Sequence, residues 1–136
     1  MTAWRPGWDD VPADLLAFWR ERHLCTLTTL RPDGRPHVVP VGATLDLEQR
    51  CAWVITNDAS RKARNLAEPG PVAICQVDGA RWATIEGTGV VHADADSVAR
   101  AVEMYAGRYR QPRENPTRVA IRVELDRIVG SAALVG

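Results

Sequence analysis

The sequence predicts a mainly β domain, an antiparallel barrel of six strands, closed or split, with a few small helices. Three strand-like runs occupy residues 24–56 without a helix between them, which favours antiparallel pairing. The connecting turns are short and use the residues that tight reversals need, as in Arg31-Pro32-Asp33-Gly34 and Asp78-Gly79. Only two helical segments interrupt the strands, too few for a parallel doubly wound sheet.

Each element has its own signal. Asp10 and Pro12 are typical of a helix start, and Gly87 and Gly89 predict a bend or bulge inside a long strand. Alternation of apolar and polar residues after Arg118 predicts a half-buried last strand. The predicted elements are helices over 11–22, 61–68 and from Asp94 or Asp96 to Tyr109, and strands over 24–30, 37–45, 51–56, 72–77, 81–92 and 118–128.

Length and charge indicate one domain over 1–136, with residues 1–10 as an irregular N-terminal arm. The 17 basic and 17 acidic residues are scattered, which argues against a nucleic-acid or membrane-surface partner. The longest apolar runs are far shorter than the roughly 20 residues of a membrane span. The first ten residues lack the apolar stretch of a signal peptide, so we expect a cytoplasmic protein.

The cysteines and histidines do not have metal-ligand spacing. Cys25, Cys51 and Cys75 are far apart, form no C-x-x-C pair and fall in predicted strands. We therefore expect buried free thiols. The three histidines are equally dispersed, and we expect no metal.

The segment Ser60 to Asn65 carries the clearest chemical signal. It lies where a predicted strand meets a helix N-terminus, and backbone N–H groups there favour an anion. Lys62 is the only lysine among the 17 basic residues, and its ammonium is a compact charge suited to a phosphate. From the local pattern alone, a phosphate cradle and a solvated basic helix start both remain open.

In its wider context this segment resembles the phosphate-binding motif of the split β-barrel flavin and deazaflavin oxidoreductases, the superfamily that includes pyridoxamine phosphate oxidase. More closely, the chain resembles the actinobacterial deazaflavin-dependent branch of this superfamily, whose cofactor is coenzyme F-420. The resemblance covers about 17–133. It is carried by Glu21–Leu24, Leu27–Arg31, Pro36–Val39 with Val41-Gly42, Cys75–Trp82, Arg108–Arg110, Pro112-Arg113, Asn115-Pro116 and Gly130–Ala132.

The resemblance implies a six-stranded split β-barrel of the flavin-reductase type, a homodimer, and a set of site residues. Ser60 and Lys62, with Arg61, would hold the cofactor phosphate, and Asn65 would support that loop. Its ring would lie against the backbone of Val39, Pro40, Val41, Thr56 and Asn57. Gln76, Arg81 and Trp82 would complete the site from the second subunit. Arg108, Tyr109, Arg110 and Arg113 are candidates for contacts to the carboxylates of the substrate or the cofactor tail, or form an exposed basic loop.

The function implied is hydride transfer from reduced F-420 to a conjugated acceptor, with the tetrapyrrole biliverdin reduced to bilirubin. No nucleophile motif is visible, in keeping with chemistry supplied by a cofactor. The catalytic residue is unknown. His37 and Arg81 are candidates, although a strand histidine without a neighbouring carboxylate in sequence is usually structural. Two alternatives remain open: an FMN-dependent enzyme of the pyridoxamine phosphate oxidase type, and a non-catalytic carrier of deazaflavin or tetrapyrrole.

Overall fold

A computed structural model describes residues 3–136, and within them the chain forms one curled antiparallel sheet with four helices. The elements in chain order are β1 (Ala3–Trp4), α1 (Ala13–Arg20), β2 (Cys25–Leu30), β3 (Pro36–Val41), β4 (Ala43–Asp46), β5 (Cys51–Asn57), α2 (Arg61–Asn65), β6 (Gly70–Asp78), β7 (Arg81–His92), α3 (Ala95–Arg108), β8 (Arg118–Gly130) and α4 (Ala132–Val135).

The sheet curls until its two edges share a corner. Its strand order is β3-β2-β6-β7-β8-β5-β4, so the edge strands β3 and β4 are consecutive in the chain and are joined by Gly42. The predicted single strand over 37–45 is wrong, because the chain changes its pairing partner at this residue, from β2 to β5. A Cβ at Gly42 would lie 2.7 Å from the ring of Tyr105, so only glycine allows this approach.

The long strands β7 and β8 form the centre of the sheet. Their register shifts between Glu86 and Gly87, which confirms the expected bulge in the fifth predicted strand. A Cβ at Gly87 would lie 2.0 Å from the carbonyl oxygen of Glu124, so the two backbones approach each other more closely than any side chain would permit. The bulge bends β7 and helps the sheet to curl.

The core fills the inside of this curl. Inward-facing side chains of β2, β6, β7 and β8 are fully buried, among them Leu27, Ile74 and Ile85. Helix α1 covers one end with Phe18 and Trp19. Removing such an area from water is the main stabilising contribution to a domain of this size.

Helix α3 packs on the outside of the sheet. Asp94 caps its N-terminus by accepting a hydrogen bond from the Ser97 amide, at 3.0 Å. A second, smaller apolar cluster lies beneath the helix and includes Trp53 of β5 and Ala101 of α3. These contacts fix the position of the C-terminal turn of α3, which borders the cleft described below.

Several predicted boundaries were wrong in detail. Residues 1–10 were expected to be irregular, but Ala3 and Trp4 pair with β8, and Trp4 is buried in the core. Met1 and Thr2 lie outside the described residues. Helix α1 spans 13–20 instead of 11–22, because Glu21 is extended, and α2 ends at Asn65 instead of 68. The sheet has eight strands instead of six, owing to β1 and the break at Gly42. The helix α4 was not predicted.

Two further expectations concern the cysteines and helices that could span a membrane. Cys25 and Cys51 are buried, Cys75 is half-buried, and all three are free. No helix formed by residues 3–136 is long and apolar enough to cross a membrane.

Candidate functional site

A polar cleft of about 280 Å³ opens at the corner where β3, β4 and β5 meet α2 and α3. Five of the predicted cofactor-binding residues line it: Pro40, Val41, Thr56, Asn57 and Lys62. The other lining residues are Gly42, Ile55, Tyr105, Pro112, Asn115 and Arg118. The structure therefore brings β3, β5 and α2 together at one cleft, although about 20 residues of sequence separate Pro40 from Lys62.

Helix α2 begins at the edge of this cleft. The Ser60 hydroxyl accepts a hydrogen bond from the Ala63 amide (3.2 Å), donates one to the Asn57 carbonyl (2.9 Å) and accepts one from the Thr56 hydroxyl (3.0 Å). Ser60 is thus the N-cap of α2 and is already fully hydrogen-bonded. It fixes the helix that carries Lys62, whatever else it contacts.

The cleft is positively charged. Lys62 is half-buried, and desolvation lowers its pKa, yet among the described residues no carboxylate lies within ion-pair distance of its ammonium. Arg118, on the opposite wall, donates to the carbonyl oxygen of Arg113 at 2.6 Å and has no carboxylate partner in residues 3–136 either. Two cations without counter-ions in one concave site favour an anionic ligand.

The loop between α3 and β8 forms one wall of the cleft. The Asn115 side chain donates to the Asn57 side chain and accepts from the Thr117 amide at 3.0 Å, so the loop is fastened to the end of β5. Asn115 and Arg118 were not predicted as site residues. The Asn115-Pro116 pair was noted only as part of the family resemblance, and a chain separation of 58 residues gave no local signal that Asn115 would meet Asn57.

An aromatic wall faces this loop. The ring of Tyr105 lies 4.9 Å, centroid to centroid, from that of Tyr109 and borders the cleft. The absence of a side chain at Gly42 leaves the space for these rings. Tyr105 lies within the predicted helix that ends at Tyr109, and helical periodicity could not reveal that its ring reaches a site.

His37 and Asn65 both lie next to Thr29, and Asn65 is the last residue of α2. His37 is the register partner of Thr29 in the β2–β3 hairpin, and the Asn65 amide donates to the Thr29 hydroxyl at 3.0 Å. His37 Nδ1 and Asn65 Oδ1 are both buried without a hydrogen-bond partner. Arg61 is exposed beside them on α2, and Val39 packs against the core rather than lining the cleft.

The prediction that Gln76 completes the site from a second subunit is wrong for this structure. Its side chain is 0% exposed. Its amide donates to the Phe18 carbonyl at 2.9 Å, and its oxygen accepts from Arg108 and from the Cys25 thiol. Every polar atom of this side chain is used inside its own chain, so it links α1 to the sheet.

Arg108 is likewise an internal group, which fits neither predicted role, an exposed basic loop or a contact to carboxylates of the substrate or the cofactor tail. Besides Gln76, its guanidinium donates to the carbonyl oxygens of Glu21 (2.8 Å) and Ala43 (2.6 Å). It lies 5.5 Å above the ring of Trp19, a cation–π arrangement. This one side chain joins the end of α3 to α1, β4 and β6.

Tyr109 shares that role. Its hydroxyl donates to the His23 carbonyl at 2.6 Å and accepts from the Ala43 amide at 3.2 Å, and burial raises its pKa. Arg110 and Arg113, the other two candidates for the substrate or cofactor tail, are exposed, and their role stays a prediction.

Arg81 and Trp82 lie away from the cleft. Arg81 forms two hydrogen bonds with Glu21 (2.9 and 3.0 Å) and one with Asp78. Hydrogen bonds from Arg81 and then His23 lower the pKa of Glu21 to about 2. Trp82 is half-buried, and its backbone amide donates to Ser131 at 3.2 Å.

This ion-pair cluster also modifies the expectation about metals. The structure brings ligand atoms of Glu21, His23 and Asp78 within 4.8 Å of one another, a grouping that sequence spacing did not suggest. The guanidinium of Arg81 contacts both carboxylates and so already supplies a positive charge to the group.

Comparison with known proteins places the chain in a family. Residues 11–131 match the family model described as pyridoxamine 5'-phosphate oxidase. The chain is 52% identical over 122 residues to the F-420H(2)-dependent biliverdin reductase of Mycobacterium tuberculosis, an alignment that covers 90% of this chain and 89% of the relative.

Solved structures share the fold. A conserved hypothetical protein of Mycobacterium tuberculosis superposes with a TM-score of 0.71 at 24% identity, covering 89% of this chain and 88% of the other. A protein described as an F-420 reductase superposes with a TM-score of 0.70 at 24% identity, covering 88% and 98%. Through the match over 11–131 and the 52% identical relative, this chain belongs to the pyridoxamine 5'-phosphate oxidase family.

Proposed function

We propose that this chain is an F-420-dependent oxidoreductase that reduces biliverdin to bilirubin. The observation that carries the proposal is its 52% identity, over 90% of its length, to a biliverdin reductase that depends on F-420H(2). The cleft at Lys62 supports the proposal independently, since its unpaired cations suit a phosphorylated cofactor.

The donor set of the cleft fits such a cofactor. Lys62 and Arg118 would bind the anionic groups, and Asn57 and Thr56 would supply hydrogen-bonding groups near α2. The ring would lie against the corner formed by Pro40 and Val41. When bound, F-420 supplies the hydride that the acceptor takes up.

The protein's own contribution is positioning and exclusion of water. Ile55, Val41 and Tyr105 give the cleft apolar surface, which orients a conjugated acceptor and strengthens the electrostatic field of Lys62. Thiol nucleophiles have no place in this chemistry. Burial raises the pKa of Cys51 to about 12 and raises that of Cys25, so both stay protonated near neutral pH.

We further propose a homodimer, assembled through the outer face of β2, β3 and β6. This face exposes Leu30, Val38 and Val77, and Leu24 lies just before β2. Four large apolar side chains on one sheet face are a surface that association would bury. Arg61 remains a proposed phosphate contact, and Asn65 is proposed to support the same loop. Ser60 is proposed to act on the phosphate by holding the start of α2, because its hydroxyl is already hydrogen-bonded. Arg81 and Trp82 remain proposed contributions from one subunit to the other's site, and Arg110 and Arg113 remain proposed contacts to the carboxylates of the substrate or the cofactor tail. The cytoplasm remains the proposed compartment.

Sedimentation velocity tests the dimer. We expect the mass derived from sedimentation of the wild-type chain to be twice that of one chain. The variant Val77→Lys should shift toward the monomer, since the lysine introduces a charge into the face that the dimer buries. Val77 is 62% exposed within one chain, so a folding defect is not expected. A wild-type chain that is monomeric at micromolar concentration would contradict this part of the proposal.

Two measurements test the activity. Titration with F-420 and with FMN should give tighter binding of F-420, and tighter binding of FMN would favour the flavin-dependent alternative. Reduced F-420 should then be mixed with biliverdin without oxygen, with both chromophores followed by absorption. We expect oxidation of the cofactor and formation of bilirubin in equal amounts. Tight binding of both molecules without any absorption change would identify the chain as a carrier.

A further inference from the structure

His37 differs from the other two histidines in the charges that surround it. His23 Nε2 lies 3.0 Å from Glu21, and His92 Nδ1 lies 3.5 Å from Asp94. For His37, no carboxylate in residues 3–136 lies within ion-pair distance. The charged groups that act on its imidazole are all cations. In a chain with equal numbers of acidic and basic residues, this local excess is not a consequence of composition.

The cations come from both elements that border the imidazole. Arg31 lies in the turn after β2, and Arg61 and Lys62 belong to α2. Thr29, the register partner of His37, contributes a neutral hydroxyl. The cations and the buried side of the imidazole keep the ring neutral, since desolvation first, and then these three positive charges, lower the pKa of His37.

Buried side-chain polar atoms without a hydrogen-bond partner are found on His37 itself and on Asn65. Trp19 Nε1, His37 Nδ1 and Asn65 Oδ1 are the buried side-chain polar atoms without a partner in the described chain. Two of these three meet around Thr29, because His37 is its register partner and the Asn65 amide donates to its hydroxyl. Buried polar atoms normally have partners, so a pair of exceptions beside a group of cations indicates a polar ligand or an ordered water.

We propose that His37 belongs to the anion-binding group of Arg31, Arg61 and Lys62, and that it takes up a proton when a phosphate or sulfate group binds there. The inference rests on the proposed function only in identifying that phosphate with the one carried by the cofactor. It reassigns His37 from a candidate proton donor in catalysis to a positioning residue for the anion.

The direction of the pH dependence follows from the thermodynamic linkage between anion binding and protonation of His37. Without the anion, the pKa of His37 is below its usual value near 6.5. A bound anion offsets part of this positive charge and raises the pKa of His37, so binding and protonation reinforce each other. Anion affinity is therefore highest below the pKa of the free protein, and it decreases as the pH rises through the pKa of the complex.

Sulfate is the appropriate probe, because it stays dianionic where inorganic phosphate itself titrates. NMR titration of the imidazole carbons reports each histidine separately, in sulfate and in chloride of equal ionic strength. We expect sulfate to raise the pKa of His37 and to leave those of His23 and His92 unchanged. We also expect sulfate to bind at least about threefold more tightly at about pH 5.5 than at about pH 8. The variant Lys62→Ala should abolish the shift, and His37→Gln should abolish the pH dependence.

The outcomes separate this inference from the proposed function. If sulfate perturbs the α2 amides but leaves the His37 titration unchanged, the proton linkage is wrong, although the anion site stands. If sulfate perturbs neither, while F-420 binds and biliverdin is reduced, the phosphate lies elsewhere and the inference is overturned alone. If F-420 also fails to bind, the proposed function fails as well. A structural role for His37 would not move its pKa with sulfate.

Discussion

The variant Arg108→Met tests whether this arginine is an internal clamp or a substrate contact. Methionine keeps most of the aliphatic stem but removes hydrogen bonds to Gln76, Ala43 and Glu21. Gln76 and Ala43 are 0% exposed, so their oxygens have no contact with solvent in the wild-type chain. The Glu21 carbonyl belongs to an exposed residue and can regain water.

The magnitude follows from these contacts. Hydrogen bonds from a charged donor are worth about 1.5–3 kcal/mol each, so losing these two removes about 3–6 kcal/mol. The Cys25 thiol still donates to the Gln76 oxygen and the Tyr109 hydroxyl to the Ala43 carbonyl, which places the loss at the lower end. Part is recovered because a charged group no longer has to be desolvated. We expect the free energy of unfolding to fall by about 3 kcal/mol, a large share of the 5–15 kcal/mol typical of a domain.

Urea unfolding followed by tryptophan fluorescence measures this change. Arg110→Met is the matched control, because Arg110 is exposed two residues away, and we expect a change within about 0.5 kcal/mol. If Arg108→Met has wild-type stability but a raised KM for biliverdin, the side chain contacts substrate and the structural interpretation is refuted.

Three further predictions concern the sheet corner and its ion pairs. Gly42→Ala should lower stability by about 1–3 kcal/mol in thermal unfolding, because its Cβ meets the ring of Tyr105 at 2.7 Å; wild-type stability would mean that the ring moves freely. Asp46→Ala should cost about 3–5 kcal/mol in urea, since it leaves Arg100 without its buried carboxylate, whereas a loss below about 1 kcal/mol would show that water replaces the pair. Glu21 contributes stability that is complete above about pH 4.5 and is lost as the pH falls toward 2, so Glu21→Gln should flatten the acid-unfolding profile there; an unchanged profile would contradict the ion pair with Arg81.

The pKa of Asp46 is also lowered, but here hydrogen bonds act against burial. Burial alone would raise its pKa, but hydrogen bonds from Arg100, the Gln49 amide and Trp53 outweigh burial and hold the pKa below its ordinary value. The carboxylate fastens β4 to α3 through Arg100 at 2.8 Å. Nothing in the sequence around Asp46 indicated this pair, because its partner is 54 residues away.

The strands and helices of the sheet could be predicted from local patterns, whereas its corner could not. The predicted strand over 81–92 has the observed bounds, and Asp94 caps α3 as one of the two expected residues. The break at Gly42 depends on Tyr105 and on the change of pairing from β2 to β5. Both are long-range contacts, so no window of sequence around residue 42 contains them.

The candidate site, like the sheet, could be predicted from sequence only in part. Lys62 stood out as the only lysine, at a capped helix start, and the structure places it in a cleft with Pro40 and Asn57. Arg108 and Gln76 are polar residues that family resemblance assigned to ligand contacts. Their burial and mutual hydrogen bond give them an internal role, and only the tertiary structure distinguishes the two.

The most direct test of the account is the affinity for F-420 of the wild-type chain, Lys62→Ala and the control Arg64→Gln, measured by equilibrium titration. Arg64 is exposed on the same helix and outside the cleft. A charge-assisted hydrogen bond is worth about 1.5–3 kcal/mol, so Lys62→Ala should raise Kd by about tenfold to a hundredfold. Arg64→Gln should change Kd by less than about threefold. An unchanged Kd for folded Lys62→Ala would contradict the claim that this cleft holds the cofactor.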